Sequence, residues 1–269
     1  MVKKLKSIVA HRIFPALGYR LAKIQKLPYD ELKDLDRYEA RTVKLLDKDF
    51  RIPDALSFRH SFKEIFEREI YKFKASSAIP RILDCGANIG MSVVYFKKCY
   101  PNAKITAIEC DPHILSLLKW NLAEQGLQDI AILDRAVSNS REPVFFAQEG
   151  ADAGHVVEQS SPNEKIRLET VLLDDLINEP IDFLKLDIEG CEVDALLACK
   201  KLNLVRNLFV EYHSFQGSSQ RLGELLDLLK ANGFRYYIST QICPSQPLFE
   251  VTNYLGMDMQ LNIFANRPL

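Results

Sequence analysis

The chain has 269 residues, enough for one large domain or one domain with an N-terminal attachment. Its 47% hydrophobic and 26% charged content is that of a soluble globular protein, and a formal net charge of −1 gives no general reason to bind nucleic acid. Six cysteines without a C-x-x-C pair point to reduced thiols and a cytoplasmic protein, and no apolar run reaches the roughly eighteen residues of a membrane span.

At the N-terminus, Lys3, Lys4, Lys6, Arg12, Arg20, Lys23 and Lys26 precede the first acid, Asp30, interleaved with Leu5, Ile8, Val9, Ile13, Phe14, Leu17 and Leu21. Without a clean apolar core or a small-residue cleavage site this is not read as a signal peptide. A basic amphipathic helix of this kind packs on its own domain or a partner subunit, or else rests on an anionic membrane surface. Peripheral membrane contact through residues 1–28 therefore stays open, and the oligomeric state is unknown. Residues 30–57 are charged and poorly periodic up to Pro53, so 1–57 reads as a helical extension and connector, and 58–269 as the main domain. Phe58, Phe62, Ile65, Phe66, Ile70 and Phe73 then follow helical spacing.

From residue 81 strand and helix alternate, the signature of an α/β fold with a mostly parallel sheet covered by helices on both faces. Strands are expected at about 81–85, 104–109, 130–133, 144–146, 181–187, 208–213, 234–239 and 258–264. Helices are expected at about 89–99, from Pro112 to Gly126, at 190–201 and across Leu222–Leu229. The helix at Pro112 has Asp111 as N-cap and a first-turn proline. Loop 149–155 and the helix at 58–73, which includes Tyr71, are candidate covers for a pocket.

The first informative motif is Asp84-Cys85-Gly86-Ala87-Asn88-Ile89-Gly90, followed by Glu109 at the end of the next strand. It reads as buried strand, tight turn and helix start, with an acid placed to accept from ribose hydroxyls. A dinucleotide fingerprint wants glycine where this chain has Asn88, because only glycine lets a pyrophosphate sit against the backbone. S-adenosylmethionine (SAM), with a ribose but no phosphate, fits better.

The second motif is Phe183-Leu184-Lys185-Leu186-Asp187-Ile188-Glu189-Gly190, in which Phe183, Lys185, Asp187 and Glu189 share one face if the strand stays extended. Phe209, Glu211 and His213 form a similar row on the next strand. Ionisable groups on central strands need partners, because an unpaired buried charge costs several kcal/mol. Lys185, a metal, a protonated His213 or the sulfonium of the cofactor would serve. Structural readings stand beside these: Lys185 pairing Asp187 only, and His213 as a satisfied core histidine.

Together with Glu109-Cys110-Asp111-Pro112, Arg135-Ala136-Val137-Ser138 and Val210-Glu211-Tyr212-His213, these motifs resemble, over about residues 80–240, the FkbM-type SAM-dependent methyltransferases. The resemblance implies a Rossmann-like class I methyltransferase fold, with a seven-stranded sheet that has one antiparallel member near its end. It also implies O-methylation of sugars and other small-molecule hydroxyls in glycan or natural-product synthesis. Carried onto this chain, Asp84, Gly86, Ala87, Asn88 and Gly90 would line the methionine end of SAM, with Asp187 close by. Glu109 would take the ribose, and Cys110 with Asp134, Arg135 and Ala136 would lie near the adenine. Cys110 departs from the family in a slot often filled by proline.

In-line methyl transfer to a hydroxyl calls for a base. The expectation is His213, oriented by Glu211, with Asp187, Glu189 and Lys185 near the methyl group or acceptor. A divalent metal on Asp187, Glu211 and His213 is an alternative that the imidazole makes less natural for magnesium, and it is not favoured. The acceptor could be free or lipid-linked, the latter suiting the basic N-terminus. Two rivals remain: a nicotinamide-dependent oxidoreductase, which predicts glycine at position 88, and a non-catalytic SAM-binding partner module.

Overall fold

The computed structural model describes residue 32 and residues 37–147, 155–157, 165–250 and 253–267. The amphipathic segment 1–28 and most of loop 149–155 lie outside the described residues. Among those described, no helix is long and apolar enough to cross a membrane.

A hairpin of β1 (Arg41–Leu45) and β2 (Lys48–Ile52) leads into helix α1 (Ala55–Phe62), which continues as one π-helical turn, Lys63–Glu67. The alternating part then begins: β3 (Arg81–Cys85), α2 (Met91–Cys99), β4 (Lys104–Ile108), α3 (Pro112–Glu124) and β5 (Ala131–Leu133). Short strands follow, β6 (Ala136–Ser138), β7 (Val144–Ala147), β8 (His155–Val157), β9 (Ile166–Leu168) and β10 (Thr170–Leu172). The second half contains α4 (Leu173–Leu176), β11 (Ile181–Leu186), α5 (Glu192–Ala198), β12 (Val205–Phe215), α6 (Leu222–Ala231), β13 (Arg235–Ile242) and β14 (Met257–Asn266).

Seven of these strands form one sheet in the order β5–β4–β3–β11–β12–β14–β13. Pairing is parallel from β5 to β12, while β14 runs antiparallel to both β12 and β13. This is the Rossmann-like class I methyltransferase arrangement expected from the sequence. From the centre the chain winds outward both ways, β3 to β4 and β11 to β12. Their carboxyl ends therefore open a crevice at the point where the winding direction changes.

Alternation along the central strands gives the sheet its two apolar faces. Phe183 and Phe209 join α1, α2 and α3 in one core, while Leu184, Leu186, Leu208 and Val210 join α5 and α6 in the other. Tyr71 closes the first core, its ring 4.9 Å from that of Phe209. Helix α3 starts as its sequence dictates, with Asp111 accepting from the N–H groups of His113 and Ile114 at 2.8 and 3.3 Å. Such a cap is worth about 1 kcal/mol.

Several elements differ from expectation. The stretch read as connector contains the β1–β2 hairpin, which buries Leu45, Phe50 and Ile52. Its turn residues, Leu46 and Asp47, both have positive φ (51° and 67°), as a type I′ turn requires, but without the Asn-Gly that usually signals one. The helix expected over 58–73 ends early. Its α-helical part stops at Phe62, and Glu69, at φ 54°, turns the chain so that Phe73 stacks on Phe183 instead. Helix α5 is shorter than 190–201 because Gly190, at φ 101°, belongs to the turn before it. Between 136 and 172 the one short strand expected is accompanied by four more: β7 pairs with β8 and β9, and β6 with β10.

Candidate active site at the carboxyl ends of the sheet

A cavity of about 640 Å³ lies over the ends of β3, β4, β11 and β12. Its floor at one end is the glycine turn, Gly86–Asn88, with Glu109, Cys110, Arg135 and Ala136 around it. Glu109 leaves β4 and folds back over its own backbone. Its Oε1 accepts from the N–H groups of Cys110 and Asp111 at 2.8 and 2.9 Å, and its Oε2 from that of Asn88 at 2.9 Å. A carboxylate has about four acceptor sites, so one remains for a ligand. Burial nevertheless outweighs these donors and raises the Glu109 pKa to about 7.

The turn itself is dictated by packing. Gly86 has φ 81°, and a β-carbon there would stand 1.8 Å from the carbonyl oxygen of Asp187. The glycine therefore lets the β3 turn and the β11 end touch, rather than giving a ligand access alone. Asn88 adopts φ 48° and its Oδ1 accepts from the N–H of Ile89 at 2.6 Å. Asparagine is one of the few residues that tolerates this geometry, which explains its presence independently of any ligand.

The other end of the cavity is charged. Lys185 is buried under the turn and donates to the Gly86 carbonyl at 2.6 Å, lies 3.1 Å from Asp187 Oδ2 and 3.5 Å from Asp84 Oδ1. Burial opposes its charge, but Asp187, Tyr71 and Asp84 hold its pKa well above the usual lysine range. Asp187 is driven up by burial and down by Lys185 and His213, and the net effect is downward. Glu189 and Glu211 lie beside it without a lysine of their own. Burial lifts Glu189 well above the carboxylate range, and burial with the Asp187 charge lifts Glu211 to about 8.

His213 sits behind this wall. Its side chain is 1% exposed, with Nδ1 3.0 Å from Glu192 Oε1 and Nε2 3.5 Å from Glu189 Oε2. Burial opposes its protonation, but Glu189 and Glu192 raise its pKa well above the ordinary value.

The structure thus brings most of the expected residues together. Gly86, Ala87, Asn88, Glu109, Cys110, Arg135, Ala136, Lys185, Asp187, Glu189 and Glu211 line one cavity. Asp84, Gly90, Asp134 and His213 are not on its wall. Asp84 is wholly buried, accepting from Ser92 Oγ and facing Lys185, so it supports the turn from beneath. Gly90 packs against α3, where a β-carbon would meet Leu118 at 2.8 Å. The Asp134 side chain is exposed to solvent. The expected orientation of His213 by Glu211 is corrected: Glu192 holds Nδ1, while Glu211 accepts from the amide of Gln260.

Residues not singled out from the sequence complete the walls. Gln260 and Asn262 come from β14, and Gln241, Ile242 and Cys243 from the end of β13. His60, Ser61 and Glu64, with Ser57 just before them, come from α1 and the π-helical turn, within the segment expected from the sequence to cover a pocket. Glu192 had a legible signal, since an acid in the first turn of a helix after Gly190 caps free N–H groups. The β14 residues had none, because only the antiparallel register places Asn262 opposite Glu211 and Gln260 opposite His213.

Comparison with known proteins agrees with this geometry. Residues 84–236 match the family model described as Methyltransferase FkbM domain. Methyltransferase sdnD of Sordaria araneosa is 28% identical, over 62% of this chain and 79% of its own. Methyltransferase 1 of Beauveria bassiana (strain ARSEF 2860) is 26% identical, over 64% of this chain and 79% of its own. Among solved structures, the SAM-dependent methyltransferase from Agrobacterium tumefaciens superposes with a TM-score of 0.50, covering 88% of this chain and 72% of that one. At 10% identity this likeness speaks for the fold alone. The family match spans more than half of the sequence and contains the glycine turn, Glu109 and the acids of β11 and β12, and on it the chain belongs to the FkbM methyltransferase family.

Proposed function

We propose that the protein transfers the methyl group of SAM to a hydroxyl of a sugar, glycan or related small molecule. The observation that carries this reading is a continuous cavity joining a ribose-accepting carboxyl at Glu109 to the acids at the ends of β11 and β12. In this reading the turn Gly86–Asn88 holds the methionine end, and Cys110, Arg135 and Ala136 surround the adenine. The acceptor oxygen attacks the methyl carbon in line with the departing sulfur. The carbon–sulfur bond breaks with its electron pair returning to sulfur, a thioether leaves, and the acceptor proton passes to a carboxylate.

That base was expected to be His213, and its burial behind Glu189 argues against it. Glu189 fits better. It lines the cavity with 22% of its side chain exposed, on the turn after β11. Its backbone is held at φ 54°, a conformation that costs a non-glycine residue about 1 kcal/mol or more and that clusters at functional sites. Asp187 and Lys185, paired at 3.1 Å, fix the floor on which donor and acceptor meet. The six free thiols suit a reducing, cytoplasmic setting.

Calorimetry with SAM and with a nicotinamide dinucleotide tests the donor. Binding of SAM that is weakened in Glu109→Gln supports the reading, and preference for the dinucleotide overturns it. A screen of sugar and polyol acceptors with radiolabelled donor tests the class of acceptor. Labelling of amines alone would remove the hydroxyl assignment, and binding of SAM with no transfer to any acceptor would favour a non-catalytic module.

A further inference from the structure

Asp187, Glu189 and Glu211 converge at one end of the cavity, and Lys185 is already committed to the Gly86 carbonyl, Asp84 and Asp187. The hydrogen bonds around His213 decide what else is there. Glu192 Oε1 accepts from the N–H groups of Ile188 and Gly190 at 3.0 and 3.1 Å, so it is an acceptor toward His213 Nδ1 as well. Nδ1 therefore carries a hydrogen, and Nε2 lies 3.5 Å from both Glu189 Oε2 and Gln260 Nε2. One ligand atom each from Asp187, Glu211 and His213 lies within 4.8 Å of the others.

A separate feature faces the same space. Asn262 stands opposite Glu211 in the antiparallel register, is 2% exposed and lines the cavity. Its Oδ1 has no hydrogen-bond partner among the described residues. An orphaned buried acceptor costs about 1–3 kcal/mol. Gln260 Nε2 donates to Glu211 and lies 3.5 Å from His213 Nε2, which leaves the Asn262 oxygen as the acceptor of this cluster without a donor.

We propose that Asp187, Glu211 and His213 hold a divalent cation, that Glu192 fixes the His213 tautomer from behind, and that Asn262 Oδ1 faces the same ion. A histidine that donates one ring N–H to a carboxylate while its other nitrogen ligates is the usual way a protein orients a metal-bound imidazole. The mixed oxygen and nitrogen set suits a first-row cation such as Mn²⁺ better than Mg²⁺. The cation's purpose rests on the reading above: beside Glu189 it would draw the acceptor oxygen and ease loss of its proton. Its binding does not rest on that reading and is measured without donor.

Chelator-treated full-length protein is titrated with Mn²⁺ alone, and free ion is followed by electron paramagnetic resonance. The expected result is one ion taken up per chain, with nitrogen hyperfine coupling from one imidazole in the pulsed spectrum. Glu211→Gln and Asp187→Asn weaken uptake at least tenfold, and His213→Ala does so and abolishes the nitrogen coupling. Glu192→Gln weakens uptake by about 10–100-fold while keeping the coupling, as loss of an orienting partner does. Thermal melts and SAM calorimetry on Glu211→Gln, which is isosteric, separate loss of the site from loss of the fold. No uptake by the wild-type protein at millimolar Mn²⁺, or uptake unchanged in all three ligand variants, overturns the proposal. If SAM binds normally in that case, only the cation falls; if SAM also fails to bind, the methyl-transfer reading falls with it.

Discussion

The two ends of the cavity are built on different principles. At the end proposed for the donor, the Glu109 carboxyl is held by backbone N–H groups of Asn88, Cys110 and Asp111, all from the β3 and β4 turns. At the end proposed for the acceptor, Asp187, Glu189, Glu211 and His213 are held by side chains, those of Lys185, Glu192 and Gln260 and each other's. Backbone donors come with the fold and cannot be mutated away. Side-chain partners can change one at a time, so on the proposed function the acceptor end could be retuned to a new substrate while the donor end stays fixed.

The largest effect is expected where the two ends touch. In Gly86→Ala the new β-carbon would overlap the Asp187 carbonyl oxygen, a backbone atom with no rotamer to escape into. A loss of about 4 kcal/mol or more is expected, with a melting temperature lower by about 10 °C and no SAM binding. A variant that melts normally and binds SAM would mean that the ends are not mechanically joined through this contact.

Next in size is Glu189→Gln. A general base contributes about 10²–10⁴-fold to rate, so kcat should fall by that factor while SAM affinity is unchanged. Glutamine keeps the shape and tolerates φ 54° no worse than glutamate. If SAM affinity falls as much as kcat, Glu189 belongs to the donor end and the division between the ends is wrong.

Glu109→Gln should act in the opposite way, weakening SAM by about 10–100-fold, the worth of hydrogen bonds to a charged acceptor. It also carries a pH signature. With its folded pKa at about 7, Glu109 holds a proton below that pH in the ligand-free protein. Ribose hydroxyls donate to the ionised form, so SAM affinity should rise about tenfold per pH unit up to about 7 and level off above it. The folded pKa lies above the ordinary 4.5, so the folded state binds the extra proton. The stability contributed by this group is therefore full below about 4.5 and is lost as pH rises toward 7. Calorimetry at pH 5, 6, 7 and 8 on both proteins isolates this group, because the Glu109→Gln variant lacks the slope; a wild-type affinity independent of pH would count against Glu109 as ribose acceptor.

This difference also explains what could be read in advance. The Glu109 end of the cavity was legible, since Gly86, Asn88 and Glu109 reach it through turns and strand ends that local pattern reveals. The rows Phe183–Lys185 and Phe209–Glu211–His213 were legible as faces, because period-two alternation survives folding. What was not legible depends on pairing between distant segments. Asn262 and Gln260 reach the site through the β12–β14 register, and the β1–β2 hairpin hides behind a turn of unusual composition. Asp84 and Gly90, assigned to the ligand because of their motif, lie off the cavity wall, where they meet Lys185 and Leu118. A motif marks where a site is without saying which of its members touch the ligand.

Cys110 gives the smallest and sharpest test of that point. It lines the donor end beside Glu109, half-buried, and its thiol is pushed up by burial and by the neighbouring acids, so it stays neutral. A neutral thiol against an adenine ring contributes contact only, and Cys110→Ala removes one atom from that wall. The change in SAM affinity should be under about threefold, since losing one partly buried heavy atom is worth on the order of 0.5 kcal/mol. Stability should be unaffected, because the backbone N–H of residue 110 still donates to Glu109. A tenfold loss instead would mean that side chains hold the donor end after all, and that the contrast between the two ends is one of degree.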